Sequence, residues 1–225
     1  MTIKAVRPPA TVPRHILDAT AALLSHRGYE ATTVRAIAAQ VGIKAASIYH
    51  HYASKDAMVA AVMNEGVRIV HDAVVSALAA LGPGACPRLR LETAIQAHLR
   101  SSLENSDYTA ASIRAFAFLP DAVRAECRAD RRRYEEIWRG IVEEASRAGL
   151  VRPGISLDVV RLMLLGAVNW AGEWYRPGRL DINTIARDFA NLVFQGDGSV
   201  EAKPAELRSA PPPTQPDHQA RSGRP

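Results

Sequence analysis

Residues 33–55 read TVRAIAAQVGIKAASIYHHYASK, and their spacing predicts two short helices around a tight turn. Gly42 can form this turn, because it has no Cβ to resist a positive φ. Ile48 and Tyr52 are four residues apart, so both would hold the second helix against the core. The first helix has one apolar face, which is formed by Ile37, Ala38 and Val41. The pattern is typical of a helix-turn-helix, in which the second helix enters the major groove of DNA.

The residues around this motif carry a more specific pattern. It consists of Gly-Tyr at 28–29, Thr-Thr-Val-Arg at 32–35, Ile-Ala at 37–38, Val-Gly-Ile at 41–43, Ser-Ile-Tyr-His-His-Tyr at 47–52 and Ser-Lys-Asp at 54–56. On these residues, the stretch 14–63 resembles the DNA-binding domain of the TetR family of transcriptional regulators. The resemblance implies an all-α fold, with an N-terminal three-helix helix-turn-helix head and a C-terminal helical bundle for ligand binding and dimerisation. The chain also shows no strand alternation.

The second helix of the motif carries cations, hydroxyls and small side chains, which are the groups that contact phosphates and base edges. Lys44 can donate to guanine, whereas Ala45 and Ala46 can make only apolar contacts, for example to a thymine methyl. Thr33 can bind a phosphate through its hydroxyl and the amides of a helix start. The resemblance implies phosphate contacts for Tyr49, His50 and Lys55. The complete predicted DNA-binding set is Thr33, Arg35, Lys44, Ala45, Ala46, Ser47, Tyr49, His50 and Lys55.

Composition and motifs argue against several other classes of protein. Hydrophobic residues make up 48% of the 225 residues and charged residues 23%, which is ordinary for a globular chain. We expect a cytoplasmic protein, because no apolar run approaches the ~18 residues of a membrane span and the N-terminus has no signal-like apolar region. No Gly-rich phosphate loop, nucleophile elbow or metal-ligand spacing is present, so we expect no enzyme activity, cofactor or metal site. The net charge of +5 suits a polyanionic partner.

Glycine, proline and helical periodicity divide the chain into four predicted parts. We expect a disordered basic arm at 1–12 and the helix-turn-helix domain at 13–58. A ligand-binding and dimerisation domain follows at 59–196. Residues 197–225 are rich in Pro, Ser, Gln and Arg and would form a disordered tail.

A set of bulky side chains on helices of the larger domain predicts a ligand pocket. Its members are Ile113, Phe116, Phe118, Tyr134, Trp138 and Trp170. Each of them could equally belong to an ordinary core. The stretch 169–178, NWAGEWYRPG, resembles a segment of a TetR subgroup that regulates fatty-acid and steroid catabolism.

Resemblance to that subgroup implies that the effector is an acyl-CoA thioester, here expected to have a bulky or long acyl group. The arginines at 131–133 could bind its phosphates, although a solvated basic helix face explains them equally well. Two alternatives stay open. One is a TetR-type regulator of efflux or stress genes that senses a non-CoA hydrophobic compound, and the other is a regulator controlled by a protein partner.

The expected partners are double-stranded operator DNA, a small-molecule effector and a second copy of the chain. One recognition helix covers only a few base pairs, so a palindromic operator is bound by a two-fold dimer. We assign the dimer interface to the last two helices, which carry apolar residues such as Leu162, Leu165, Ile185 and Leu192. The sequence thus predicts a ligand-responsive repressor.

Overall fold

The computed structural model describes residues 11–103 and 107–194, which form nine α-helices. Their bounds are α1 Val12–Ala31, α2 Val34–Val41, α3 Ala45–Ile48, α4 Lys55–Ala80, α5 Pro87–Leu103, α6 Asp107–Arg114, α7 Asp121–Arg147, α8 Leu157–Trp174 and α9 Ile182–Val193. A 3-10 turn, Phe116–Phe118, follows α6. In the described ranges, β-type pairing is limited to one antiparallel contact between Val151 and Phe194. The all-α prediction is confirmed.

The predicted domain limits fall at different places on these helices. Residues 1–10 of the predicted arm and the whole predicted tail lie outside the described residues, whereas Val12 already begins α1. The predicted limit between residues 58 and 59 falls inside α4. One continuous helix therefore joins the helix-turn-helix to the larger bundle.

Polar side chains fix the starts of three helices. Thr33 accepts a hydrogen bond from the Ala36 amide at the start of α2, at 3.1 Å. Ser54 does the same for the Ala57 amide at the start of α4, at 3.0 Å. Asp181 accepts from two amides of α9. These bonds satisfy amides that have no partner inside the helix, so they define where each helix begins.

Two clusters of buried apolar side chains hold the N-terminal helices in place. The first lies inside the helix-turn-helix head and contains Ile16, Ala19, Leu23, Ile37, Ala38, Ile48 and Met58. The second joins α1 to α4, α6 and α7, and includes Leu24, Val59, Met63, Ala111 and Cys127. Helix α6 thus packs directly against α1 of the head.

The larger bundle has its own core around Trp138, which is fully buried on α7. Side chains of α4, α5, α8 and α9 surround it, including Val74, Ile95, Leu164, Val168 and Ile185. Burying side chains of this size contributes roughly 1.5–3 kcal/mol each relative to exposure. This core therefore fixes the positions of the helices that enclose the cavity described below.

Helices α4 and α6 are in close backbone contact at Gly66. A Cβ placed on Gly66 would lie 2.2 Å from the carbonyl oxygen of Tyr108 and 2.8 Å from the Cβ of Ser112. Glycine is thus the only residue that this contact accommodates without moving a helix backbone.

A polar network joins the same helices to α1. The Tyr108 hydroxyl donates to Asp18 of α1 at 2.7 Å, and Arg14 lies 3.1 Å from Asp18. Arg14 also donates to Glu65 of α4 at 3.2 Å and stacks over the Tyr108 ring, 4.7 Å from its centroid. Burial, reinforced by the bond to Asp18, raises the pKa of Tyr108 well above its usual value. The hydroxyl consequently remains a donor at physiological pH.

Candidate functional site

The helix-turn-helix presents one polar face to solvent. Gly42 adopts the left-handed conformation, with φ of 77°, and its amide donates to the Ala38 carbonyl at 2.9 Å. Ile48 is fully buried beneath α3, while Tyr49 is 58% exposed. The predicted residues that are exposed on this face are Thr33, Arg35, Lys44, Ala46, Tyr49 and His50, and Ala45 and Ser47 are half-buried beside them. This arrangement is the one expected of side chains that contact DNA.

Lys55 is held in place at the edge of this face. Its Nζ lies 3.6 Å from the centroid of the Tyr29 ring, a cation–π contact. The Tyr29 hydroxyl donates to Asp56. Burial and this hydrogen bond together raise the pKa of Tyr29 to about 12. Tyr29 is thus a positioning residue for Lys55. In the sequence, Tyr29 stood out only as part of the family pattern.

A cavity of about 130 Å³ lies among helices α4 to α8. Its lining combines apolar side chains with several that carry polar groups: Val67, Val70, His98, Ser112, Ile113, Arg131, Tyr134, Glu135, Leu165 and Asn169. The volume is below the roughly 300–1,000 Å³ of a pocket for a drug-sized ligand. It therefore suits a short group, in contrast to the bulky or long acyl group expected from the sequence.

Two buried rings form the polar centre of the cavity wall. Nδ1 of His98 lies 2.7 Å from the Tyr134 hydroxyl, and only 1% of His98 is exposed. Burial lowers the pKa of His98 to about 4, against a smaller opposing effect from the side chain of Asn169. Burial also raises the pKa of Tyr134 well above its usual value, an effect that Trp138 opposes. Both groups are neutral at pH 7.

Arg131 supplies a cation to the same wall. Its guanidinium lies 3.6 Å from the centroid of the Phe116 ring and donates to the backbone carbonyl of Ser112. Burial lowers the pKa of Arg131, but a guanidinium stays protonated in proteins. The nearby carboxylate of Glu135 is bound instead to Arg161, at 3.3 Å.

The structure brings together only part of the predicted pocket set. Ile113 and Tyr134 line the cavity, Phe116 contacts it through Arg131, and Trp138 is buried behind Tyr134. Two members lie elsewhere, because their helix positions point outward: Phe118 is 79% exposed and Trp170 is 65% exposed. The pocket prediction must accordingly be narrowed to exclude Phe118 and Trp170 from the cavity lining.

The three arginines at 131–133 lie in different environments. Arg131 lines the cavity, whereas Arg132 and Arg133 are exposed on α7, and Arg133 pairs with Asp130 at 3.0 Å. Sequence reasoning did not single out His98, which lies on the face of α5 formed by Leu91, Ile95 and Leu99. The helical spacing of His98 with these apolar residues could have identified it as a buried histidine.

The neutral state of His98 predicts a pH-dependent stability. Between about pH 4 and 6.5 the unfolded chain binds a proton at His98 that the folded chain does not, so stability falls as pH decreases. Going from about pH 7.5 to about pH 5 should lower the free energy of unfolding by roughly 2 kcal/mol through this group. Urea denaturation at the two pH values measures the change. In His98→Gln this contribution should vanish, and an unchanged pH dependence in that variant would assign it to other groups.

An apolar stripe runs along the outer side of α8. Its members are spaced at helical intervals and are Val159, Leu162, Met163, Gly166 and Trp170. Leu192 of α9 is 79% exposed as well. By contrast, Leu165 faces the cavity and Ile185 is in the core, so neither is available to a partner, although the sequence assigned both to the interface.

In the two described ranges, no helix combines the length and the apolar character needed to cross a membrane. Within the same ranges, no three His, Cys, Asp or Glu side chains are grouped so that they could hold a metal ion.

Known protein families match most of the chain. The family described as "Bacterial regulatory proteins, tetR family" matches residues 16–62, and that described as "Tetracyclin repressor-like, C-terminal domain" matches residues 84–196. The chain is also similar to the HTH-type transcriptional repressor KstR2 of Rhodococcus jostii strain RHA1. The two are 30% identical over 190 residues, which cover 80% of this chain and 88% of that protein.

Solved structures show the same similarity in three dimensions. AibR in complex with isovaleryl coenzyme A and operator DNA is 29% identical, with a TM-score of 0.71, and the match covers 81% of this chain and 97% of AibR. The TetR family transcriptional regulator PfmR of Thermus thermophilus is 28% identical, with a TM-score of 0.69, over 83% of this chain and 97% of PfmR.

Proposed function

The chain belongs to the TetR family of DNA-binding transcription regulators, which are not enzymes, and we propose that it represses transcription until it binds a short acyl-CoA thioester. The observation that carries the proposal is that one helix, α4, borders both the DNA-binding face and the ligand cavity. Helix α4 starts at Lys55 beside the DNA-binding face and supplies Val67 and Val70 to the cavity. A protein that acts on operator DNA is expected in the cytoplasm.

The exposed face of the helix-turn-helix supports the DNA-binding part. Lys44 is at the start of α3, where it can donate to guanine, and Tyr49 and His50 are beside it for phosphates. Lys55 lies at the start of α4, where its Nζ packs over the Tyr29 ring. Neutralising several phosphates releases counterions, so operator affinity falls steeply with salt.

Two observations support the choice of effector. AibR, to which this chain is similar, was solved with isovaleryl coenzyme A and operator DNA. The cavity of about 130 Å³ is smaller than a pocket for a drug-sized ligand, so it suits a short acyl group. The exposed Arg132 on α7 offers a cation to the phosphates of coenzyme A.

Release of DNA follows from the shared helices. Ser112 and Ile113 of α6 line the cavity, and Tyr108 of the same helix is bonded to Asp18 of α1. An acyl group between α4 and α6 would therefore change how both helices pack against the head. A 100-fold release requires the effector to favour the non-binding conformation by about 2.7 kcal/mol.

A homodimer through α8 and α9 completes the proposal. The stripe of α8 and Leu192 of α9 are exposed apolar side chains that a partner would cover. A second copy related by a two-fold axis presents the same surface, and it places a second recognition helix on the other half of a palindrome.

The proposal is tested by anisotropy titration of a duplex selected from a random DNA library with the full chain. The most effective member of a panel of short acyl-CoAs that includes isovaleryl-CoA should lower the affinity for this duplex by about 100-fold. Lys44→Ala should keep the response to the effector but relax the preference at one base pair, by roughly 1–3 kcal/mol. An uncharged hydrophobic compound that releases the duplex while a panel of acyl-CoAs does not would identify a non-CoA sensor. Failure to enrich any duplex would overturn the proposal altogether.

A further inference from the structure

Two buried nitrogen atoms in the cavity wall lack hydrogen-bond partners. They are Nε2 of His98 and Nε of Arg131, and neither has a partner among the described residues. The side chain of Asn169 interacts with the His98 ring, but not at hydrogen-bonding geometry with Nε2. Both residues line the same cavity. Unpaired buried polar atoms are costly, so two of them beside one cavity call for a structural reason.

The bond between His98 and Tyr134 decides which His98 nitrogen carries the proton. A buried phenol hydrogen needs an acceptor, and Nδ1 of His98, at 2.7 Å, is the acceptor that the described residues offer. If Tyr134 donates to Nδ1, the single proton of the neutral imidazole is on Nε2. Nε2 is therefore a donor, on a residue that lines the cavity.

Arg131 provides the second donor. Its guanidinium is occupied on one side by the Phe116 ring and the Ser112 carbonyl, which leaves the Nε hydrogen unpaired. The charged groups nearest this wall are Arg131 itself and Glu135, and Glu135 is bound to Arg161. The wall thus carries two donors without partners among the described residues, together with the charges of Arg131 and Glu135.

We infer that the effector inserts an oxygen-bearing group, a keto or carboxylate oxygen, between His98 and Arg131. The inference rests on the proposed function and specifies the acyl group. It assigns specificity to residues of α5 and α7: an acyl group with this oxygen satisfies both donors, whereas a hydrocarbon of equal size leaves them unpaired. Sites built around a hydrogen bond reject analogues that lack the bonding atom.

Calorimetry with the full chain and three thioesters tests the inference. Levulinyl-CoA has a keto group where isocaproyl-CoA has a branched carbon of the same size, and glutaryl-CoA has a terminal carboxylate. We expect levulinyl-CoA or glutaryl-CoA to bind at least about tenfold more tightly than isocaproyl-CoA. A preference for levulinyl-CoA would identify a keto group, and one for glutaryl-CoA a carboxylate.

Variants assign the preference to the cavity. His98→Phe removes the Nε2 donor and should reduce the preference, and His98→Met, which also carries no N–H, serves if the phenylalanine variant does not fold. Arg139→Gln, on the exposed side of the same helix as Arg131, should keep the wild-type preference. If isocaproyl-CoA binds as tightly as the other two, or if the preference survives in both His98 variants, the inference is overturned while the proposed function stands. If none of the three thioesters binds, both fall.

Discussion

Glutamate substitutions at Met163 and Leu192 are expected to convert the protein to monomers and to lower operator affinity by at least about 100-fold. Met163 is 52% exposed on α8 and Leu192 is 79% exposed on α9. In a two-fold interface each substitution appears twice, so four carboxylates would be buried or brought together. A monomer contacts only one half of the operator, and it loses the second set of base and phosphate contacts.

Sedimentation equilibrium measures the oligomeric state, and anisotropy measures the operator affinity. Val75→Glu is a matched control, since Val75 is 41% exposed but lies on α4, outside the stripe. That variant should remain dimeric and bind DNA as the wild type does. A double variant that stays dimeric with full operator affinity would place the dimer interface elsewhere on the molecule.

The DNA-binding head could be predicted from the sequence because its determinants are local. The cap at Ser54, the turn at Gly42 and the buried side of Ile48 each depend on residues only a few positions away. The same holds for the cap at Asp181. Where a helix begins and which face is apolar are properties that the spacing of residues encodes directly.

The cavity could be predicted only in part, because its lining depends on how five helices are rotated against each other. Leu165 and Trp170 are both large and apolar on α8, yet the first faces the cavity and the second faces outward. Size and hydrophobicity do not distinguish them. His98 and Arg131 acquire their importance from lining one cavity together, which no local pattern specifies.

Replacing Gly66 by alanine is expected to damage both stability and DNA binding. The added Cβ would meet the backbone oxygen of Tyr108 at 2.2 Å and its carbonyl carbon at 2.7 Å, and backbone atoms cannot move aside as a flexible side chain would. Helices α4 and α6 must then separate. Overpacking of this kind typically lowers the free energy of unfolding by about 1–3 kcal/mol, even though alanine favours the helix.

The same separation should reach the DNA-binding head. Tyr108 is bonded to Asp18, and Arg14 connects Asp18 to Glu65, so a shift between α4 and α6 displaces α1 as well. We expect operator affinity to fall by about tenfold, or roughly 1.4 kcal/mol, in the variant.

Gly140 provides the control for this experiment. It lies in the middle of α7, is exposed, and a Cβ there would meet no atom within 4 Å. Gly140→Ala should therefore stabilise the protein by about 0.5–1 kcal/mol through helix propensity alone and leave DNA binding unchanged. Urea denaturation should thus show that Gly66→Ala is destabilised and Gly140→Ala is stabilised. Operator titration should show weaker DNA binding in Gly66→Ala alone. If Gly66→Ala is as stable as the wild type or more stable, α4 and α6 can separate at no cost. In that case the close contact at Gly66 does not link the cavity to the DNA-binding head.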